Sequence, residues 1–166
     1  YLRRVDGYMA TSKRAIQVLL LGVRCHGTGP YLLFTLVSLV SLTANADTIA
    51  EKLTTLSLDK TVKESSPEVK RTQAALTRGL TVCNFESEEK LANVAWFITK
   101  KIRESGQYAE STDIIEGVNA ALLGAKAKQD CSEVMSLYAV NRIEGNTHSD
   151  AVTGARGIYR AMGLVK

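Results

Sequence analysis

Few residues of this chain have the types and spacing to do chemistry, and the most suggestive group is THSD at 147–150. It sets His148, Ser149 and Asp150 side by side, the three groups of a hydrolytic triad. Such a triad needs side chains that converge through tertiary structure, whereas immediate neighbours on a helix point in different directions. The stretch therefore reads as a helix N-cap cluster, with His148 at the surface and without a partner for metal or base work. SLDK at 57–60 and SEEK at 87–90 fit the S-x-x-K pattern but lack the companion motifs of penicillin-binding enzymes. HGTGP at 26–30 is glycine-rich yet follows no strand, so it makes no phosphate cradle. Glu88 with Glu89, and Glu110 with Asp113, stand where helices begin and act as first-turn acids; an acid–base pair would need a pocket around them. No CxxC, HxxxH or CxxCH spacing occurs, so neither a metal centre nor a covalent haem is expected, and no cofactor. Binding is the expected activity, not catalysis.

The elements that position these residues begin after a leader. YLLFTLVSLVSL at 31–42 is as long as the apolar region of a signal peptide and short of the roughly 20 residues that span a bilayer. Ala44 and Ala46 occupy the small-residue positions read by a signal peptidase, and Asp47 follows as a polar N-terminus. Residues 1–46 are therefore expected to be removed by cleavage after Ala46, leaving residues 47–166 as one exported domain. A second apolar patch, IQVLLLGV, precedes the main run, and a start at Val23 would give a better-proportioned peptide. Cys25 lies ahead of the main apolar run behind Arg24, so it is no lipoprotein cysteine.

Charge follows the same division. The chain carries 21 basic and 17 acidic residues, but five of the basic ones and Asp6 belong to the leader. The remainder is balanced at sixteen of each, so no net positive field is left to attract nucleic acid or an anionic membrane surface. After cleavage only Cys83 and Cys131 remain, an even pair in an oxidising compartment, and one disulfide is expected between them.

Periodicity predicts helices almost throughout. They open with DTIAEKLTTLSL and continue with SSPEVKRTQAALTRGL, which has Ser66 as N-cap, Pro67 at the first helical position and Gly79 near its end. In SEEKLANVAWFITKKIRESG, Leu91, Val94, Ala95, Ile98 and Ile102 recur at helical spacing, acids open the helix, bases close it and Gly106 stops it. STDIIEGVNAALLGAKAK takes Ser111 or Thr112 as cap and presents one broad apolar face. A helix from about Ser132 to Glu144 stops at Gly145, and a last one from His148 or Ser149 to Met162 turns Val152, Ala155, Ile158, Tyr159 and Met162 inward. Trp96, Phe97 and Tyr138 are expected in the core. The fold class is thus all-α, a compact bundle of five to six helices pinned by one disulfide.

The order of helix, Cys83, long amphipathic helix, DIIEGVNAAL helix, Cys131 and two short helices resembles the small disulfide-bonded helical proteins of the Gram-negative periplasm. IIEGVNAAL followed by KQDCSEVMSLYAV and HSDAVTGARGIYRAM looks like the C-terminal half of the type VI secretion immunity proteins that block cell-wall-cleaving amidases. Acid-stress chaperones share the wide disulfide separation and are the second resemblance. The first implies a non-enzymatic protein that occludes a peptidoglycan amidase effector, with no cofactor and with homodimerisation as an option. The second implies a periplasmic chaperone opened by acid, and an uncharacterised periplasmic enzyme is the remaining alternative.

The expected contact regions are the loops ESGQYAESTD at 104–113 and EGNTHSD at 144–150. Within them Glu104, Gln107, Tyr108, Glu110, Asp113, Asn146 and His148 are the candidate partner-binding residues. With no net charge to steer association, local acids, namely Glu104, Glu110, Asp113 and Glu116, are expected to meet a basic patch on the partner.

Overall fold

The computed structural model describes residues 47–166; the expected leader and the cleavage expected after Ala46 lie outside them. The described residues form six helices: α1 (Ile49–Leu58), α2 (Pro67–Val82), α3 (Glu88–Glu104), α4 (Ser111–Ala121), α5 (Cys131–Ile143) and α6 (His148–Ala161). Among these residues no strand occurs, and no helix is long and apolar enough to cross a membrane.

Local signals start most of the helices. Ser66 Oγ accepts from Val69 N at 3.2 Å ahead of Pro67, and Ser87 Oγ accepts from Lys90 N at 3.2 Å. Thr147 and Asp150 form a reciprocal capping box at α6, which is the structural use of the THSD stretch. Gly106 and Gly145, with φ of 86° and 90°, close α3 and α5.

Helix α4 is the organising element, because it touches all five other helices. Its residues Ile114, Ile115, Val118 and Ala121 are buried, and so are Ser111, Thr112, Gly117 and Asn119, so burial runs nearly all round it. Gly117 makes this packing possible: a Cβ there would lie 3.0 Å from Val152 Cγ2 and 3.3 Å from both His148 Cε1 and Tyr138 Cε2. Bare backbone at that point lets α5 and α6 close on α4 together.

Ser111 and Thr112 do not cap α4; its N-cap is Glu110, with no side-chain cap bond. Both hydroxyls are buried and begin hydrogen-bonded relays through the core. Thr112 Oγ1 lies 2.7 Å from Thr72 Oγ1, which lies 2.8 Å from Thr54 Oγ1, and Thr54 donates to the Ala50 carbonyl at 2.7 Å. Each hydroxyl has one proton; that of Thr72 goes to the Glu68 carbonyl at 3.0 Å, so Thr72 Oγ1 is the acceptor for Thr112 and for Thr54, and Thr54 divides its proton between Thr72 and the Ala50 carbonyl. Ser111 in turn donates to Thr99 Oγ1 at 2.8 Å, and Thr99 to the Ala95 carbonyl at 2.8 Å. These polar chains tie α4 to α2, α1 and α3 where an apolar pattern alone leaves the register open. Thr72→Val keeps the shape of the side chain but strands the Thr112 proton, and urea unfolding is expected to show a loss of about 1–3 kcal/mol. An unchanged midpoint would mean that Thr112 finds another acceptor.

Cys83 and Cys131 are joined, with Cα atoms 5.3 Å apart, and both are buried. The bond pins the end of α2 to the start of α5, beside Asn84 N donating to Gln129 O at 2.8 Å and Gln129 N donating to Val82 O at 2.9 Å.

Gly79 lies near the end of α2, as expected, but inside the helix, which runs on to Val82, where a Cβ would meet Leu91 Cδ2 at 2.5 Å. Several other expectations are corrected. The fourth helix stops at Ala121, short of the GAKAK end of the stretch predicted to be helical. Ile158 and Met162 are exposed, because Ile158 lies at the edge of the Ala151–Ala155–Tyr159 stripe and Met162 follows the last helical turn. Phe97 is 52% exposed and Trp96 only partly buried, whereas Tyr138 is in the core at 2% exposure. At 100° per residue Phe97 falls opposite Leu91, Ala95 and Ile102, so its size cannot bring it inside.

Candidate partner-binding surface

The exposed side of α3 carries aromatic rings interleaved with cations. Lys100 Nζ lies 5.8 Å from the Trp96 ring centroid and Lys101 Nζ 5.7 Å from that of Phe97. The Arg103 guanidinium lies between two rings, 5.9 Å from Trp96 and 6.0 Å from Tyr108. These distances fall within the range of about 6 Å over which a cation is attracted to a ring face. Arg103 is held by donation from Nε to the Ala109 carbonyl at 2.9 Å, from Nη2 to the same carbonyl at 2.7 Å, and to the Ser57 carbonyl. Tyr108, at 66% exposure, thus stands on a fixed support.

Arg142 joins the two loops picked out by sequence. Its Nη2 donates to the Tyr108 carbonyl at 2.7 Å and its Nη1 to the Asn146 carbonyl at 2.5 Å, while its buried Nε meets no acceptor among the described residues. Tyr108 and Asn146 are therefore brought together by their backbones. Gln107 takes part only through its amide, which donates to the Ile102 carbonyl at 3.3 Å. His148 is exposed, but it does have a partner: its Nδ1 lies 2.8 Å from the Tyr138 hydroxyl.

The acids expected to face a partner are engaged within the chain. Glu104 pairs with Lys101 at 2.7 Å, and Glu110 accepts from the Tyr108 hydroxyl, an interaction that raises the phenol above its ordinary range. Arg71 reaches across from α2 to Asp113 at 2.7 Å and to Glu116 at 2.9 Å through Nε and 2.5 Å through Nη2. Asp113 and Glu116 therefore tie α4 to α2. Arg103, Arg142, Trp96 and Phe97 were not among the sequence candidates; Trp96 and Phe97 read as core by hydrophobicity, and the two arginines as ordinary bases near helix C-termini.

Burial pushes the Tyr138 phenol up to about 12, with Arg142 opposing and Asp113 adding to the shift. Because the folded value lies above the ordinary one, the stabilisation is full below about pH 10 and is lost as pH rises through about 12. Tyr138→Phe is expected to flatten that alkaline decline, and the wild-type phenol should ionise well after the exposed tyrosines in an ultraviolet titration. Ionisation together with the others would refute its burial.

Comparisons with protein-family models, curated proteins and solved structures found no match to this chain.

Proposed function

We propose that this chain is an exported, non-enzymatic protein-binding protein whose contact surface centres on Tyr108, with Phe97, Trp96 and Arg103 around it. The observation that carries this reading is a highly exposed tyrosine fixed from both sides, by Arg103 against its ring and by Arg142 on its carbonyl. Tyr, Trp and Arg are the side chains that dominate binding energy at interfaces. A preformed aromatic support also spares the ordering cost that weakens flexible contacts. The disulfide supports an oxidising compartment, in line with the leader and a periplasmic location. Within that compartment a peptidoglycan amidase effector is the partner that the resemblance implies, and its occlusion the protective act.

The test is rescue of cells that express such an amidase in the periplasm, together with binding of the purified pair. Wild type should rescue, and Tyr108→Ala should weaken binding by about thirtyfold, the equivalent of a contact of about 2 kcal/mol. The substitution leaves the backbone acceptor for Arg142 in place, so the fold is retained. Binding unaffected by Tyr108→Ala would move the contact elsewhere. Absence of rescue, combined with suppressed aggregation of unrelated proteins after acidification, would favour a chaperone.

A further inference from the structure

The electrostatic character of the surface around Tyr108 is opposite to the one the loop acids suggest. Three cations gather there without a carboxylate partner among the described residues: Lys100 on the Trp96 ring, Arg103 between Trp96 and Tyr108, and Arg142 on the Tyr108 carbonyl. The two arginines are held by carbonyl oxygens, which fix their position and leave their charge uncompensated. Of the nearby acids, Glu104 is paired with Lys101 and Asp113 shares Arg71 with Glu116, while Glu110 accepts from the Tyr108 hydroxyl and keeps its charge, one carboxylate against three cations. Glu144, at the end of α5, is the remaining carboxylate close in sequence. Residues 47–166 carry sixteen charges of each sign, so this concentration is local and not a consequence of overall charge.

Resting on the binding role proposed above, we infer that the segment of the partner that docks against Tyr108 is acidic, a stretch of Asp or Glu side chains meeting Lys100, Arg103 and Arg142. Carboxylates suit this surface on two counts. The guanidinium edges supply fixed donors, and the rings exclude water from one side of each ion pair, which strengthens it. Electrostatic complementarity of this kind acts mainly on the rate of encounter and on the choice of partner.

Polyglutamate and polylysine of matched length serve as probes, followed through the amide resonances of the protein. Polyglutamate should produce saturable shifts confined to residues 96–108 and 142–146, and polylysine none there. Lys100→Glu, a change on an exposed side chain outside the core, should weaken the polyglutamate effect by about fivefold or more. Raising the salt from about 50 mM to about 500 mM should suppress it as screening sets in. Polyglutamate shifts that are absent or lie elsewhere, or polylysine shifts at these amides, would overturn the inference. If polyglutamate fails while Tyr108→Ala still weakens the amidase complex, only the acidic character of the partner falls. If Tyr108→Ala leaves that complex intact, the binding role of this surface falls with it.

Discussion

Replacing Cys83 and Cys131 together by alanine is expected to cost about 4 kcal/mol of stability, the chain-entropy value for a cross-link that closes a loop of this length. The loop spans 48 residues and includes α3 and α4, so without the bond the unfolded chain recovers the freedom of nearly half the domain. The folded state loses little in exchange. Asn84 and Gln129 still bridge the two ends through their backbones, and alanine fits where the buried sulfurs were. Against a typical stability of roughly 5 to 15 kcal/mol, the loss brings a small bundle close to its unfolding threshold. Urea unfolding of wild type with and without reductant, beside the double variant, measures the effect. Reduced wild type and the variant should unfold at similar midpoints, both well below the oxidised protein. A difference under about 1 kcal/mol would mean that the Val82–Gln129 contacts already confine the loop in the unfolded ensemble.

A loss of about 2–5 kcal/mol is expected from Leu91→Ala, the range for removing a large aliphatic side chain from a close-packed core. Leu91 is fully buried, and its Cδ2 occupies the space left by the missing side chain of Gly79. That contact makes the two positions dependent on one another. Gly79→Ala gains roughly 1 kcal/mol of helix propensity, but its Cβ would meet Leu91 Cδ2 at 2.5 Å, and overpacking of this kind costs about 1–3 kcal/mol. In the Leu91→Ala background the clash is gone and only the propensity gain is left. The double variant should therefore be more stable than Leu91→Ala alone, and a double-mutant cycle should give a coupling of about 0.5–3 kcal/mol. Additive effects would show that Leu91 changes rotamer at no cost and that the approach of α2 to α3 is loose.

The glycines mark how far local sequence carries. Gly106 and Gly145 were legible as helix stops, because a left-handed backbone conformation is a local demand. The place of Gly79 near a helix end was legible too, but not its role, which is to admit the side chain of Leu91, twelve residues further on. Ser111 and Thr112 show the same divide. As isolated hydroxyls before an apolar run they look like caps, and only the positions of Thr72 and Thr99 on other helices reveal them as buried relays. On the candidate surface, Tyr108 and Asn146 were picked out individually by their loops. Their relation depended on Arg142, which nothing in the spacing distinguishes from any other base near a helix end.

The sequence by itself determined the helical content, the order of the six helices, the cap of α2 at Ser66, the stops at Gly106 and Gly145, and the pairing of Cys83 with Cys131. Each follows from interactions within a few residues or, for the disulfide, from there being no other choice among residues 47–166. The tertiary structure decided that α4 is central, that Phe97 is exposed, and that the loop acids engage Arg71, Lys101 and Tyr108 at the surface while arginines anchored by carbonyls support Tyr108. A charged or aromatic side chain has many partners within reach of its own length. Which one it takes depends on the crossing of helices distant in sequence, where the alternatives differ by little more than the energy of a single surface contact.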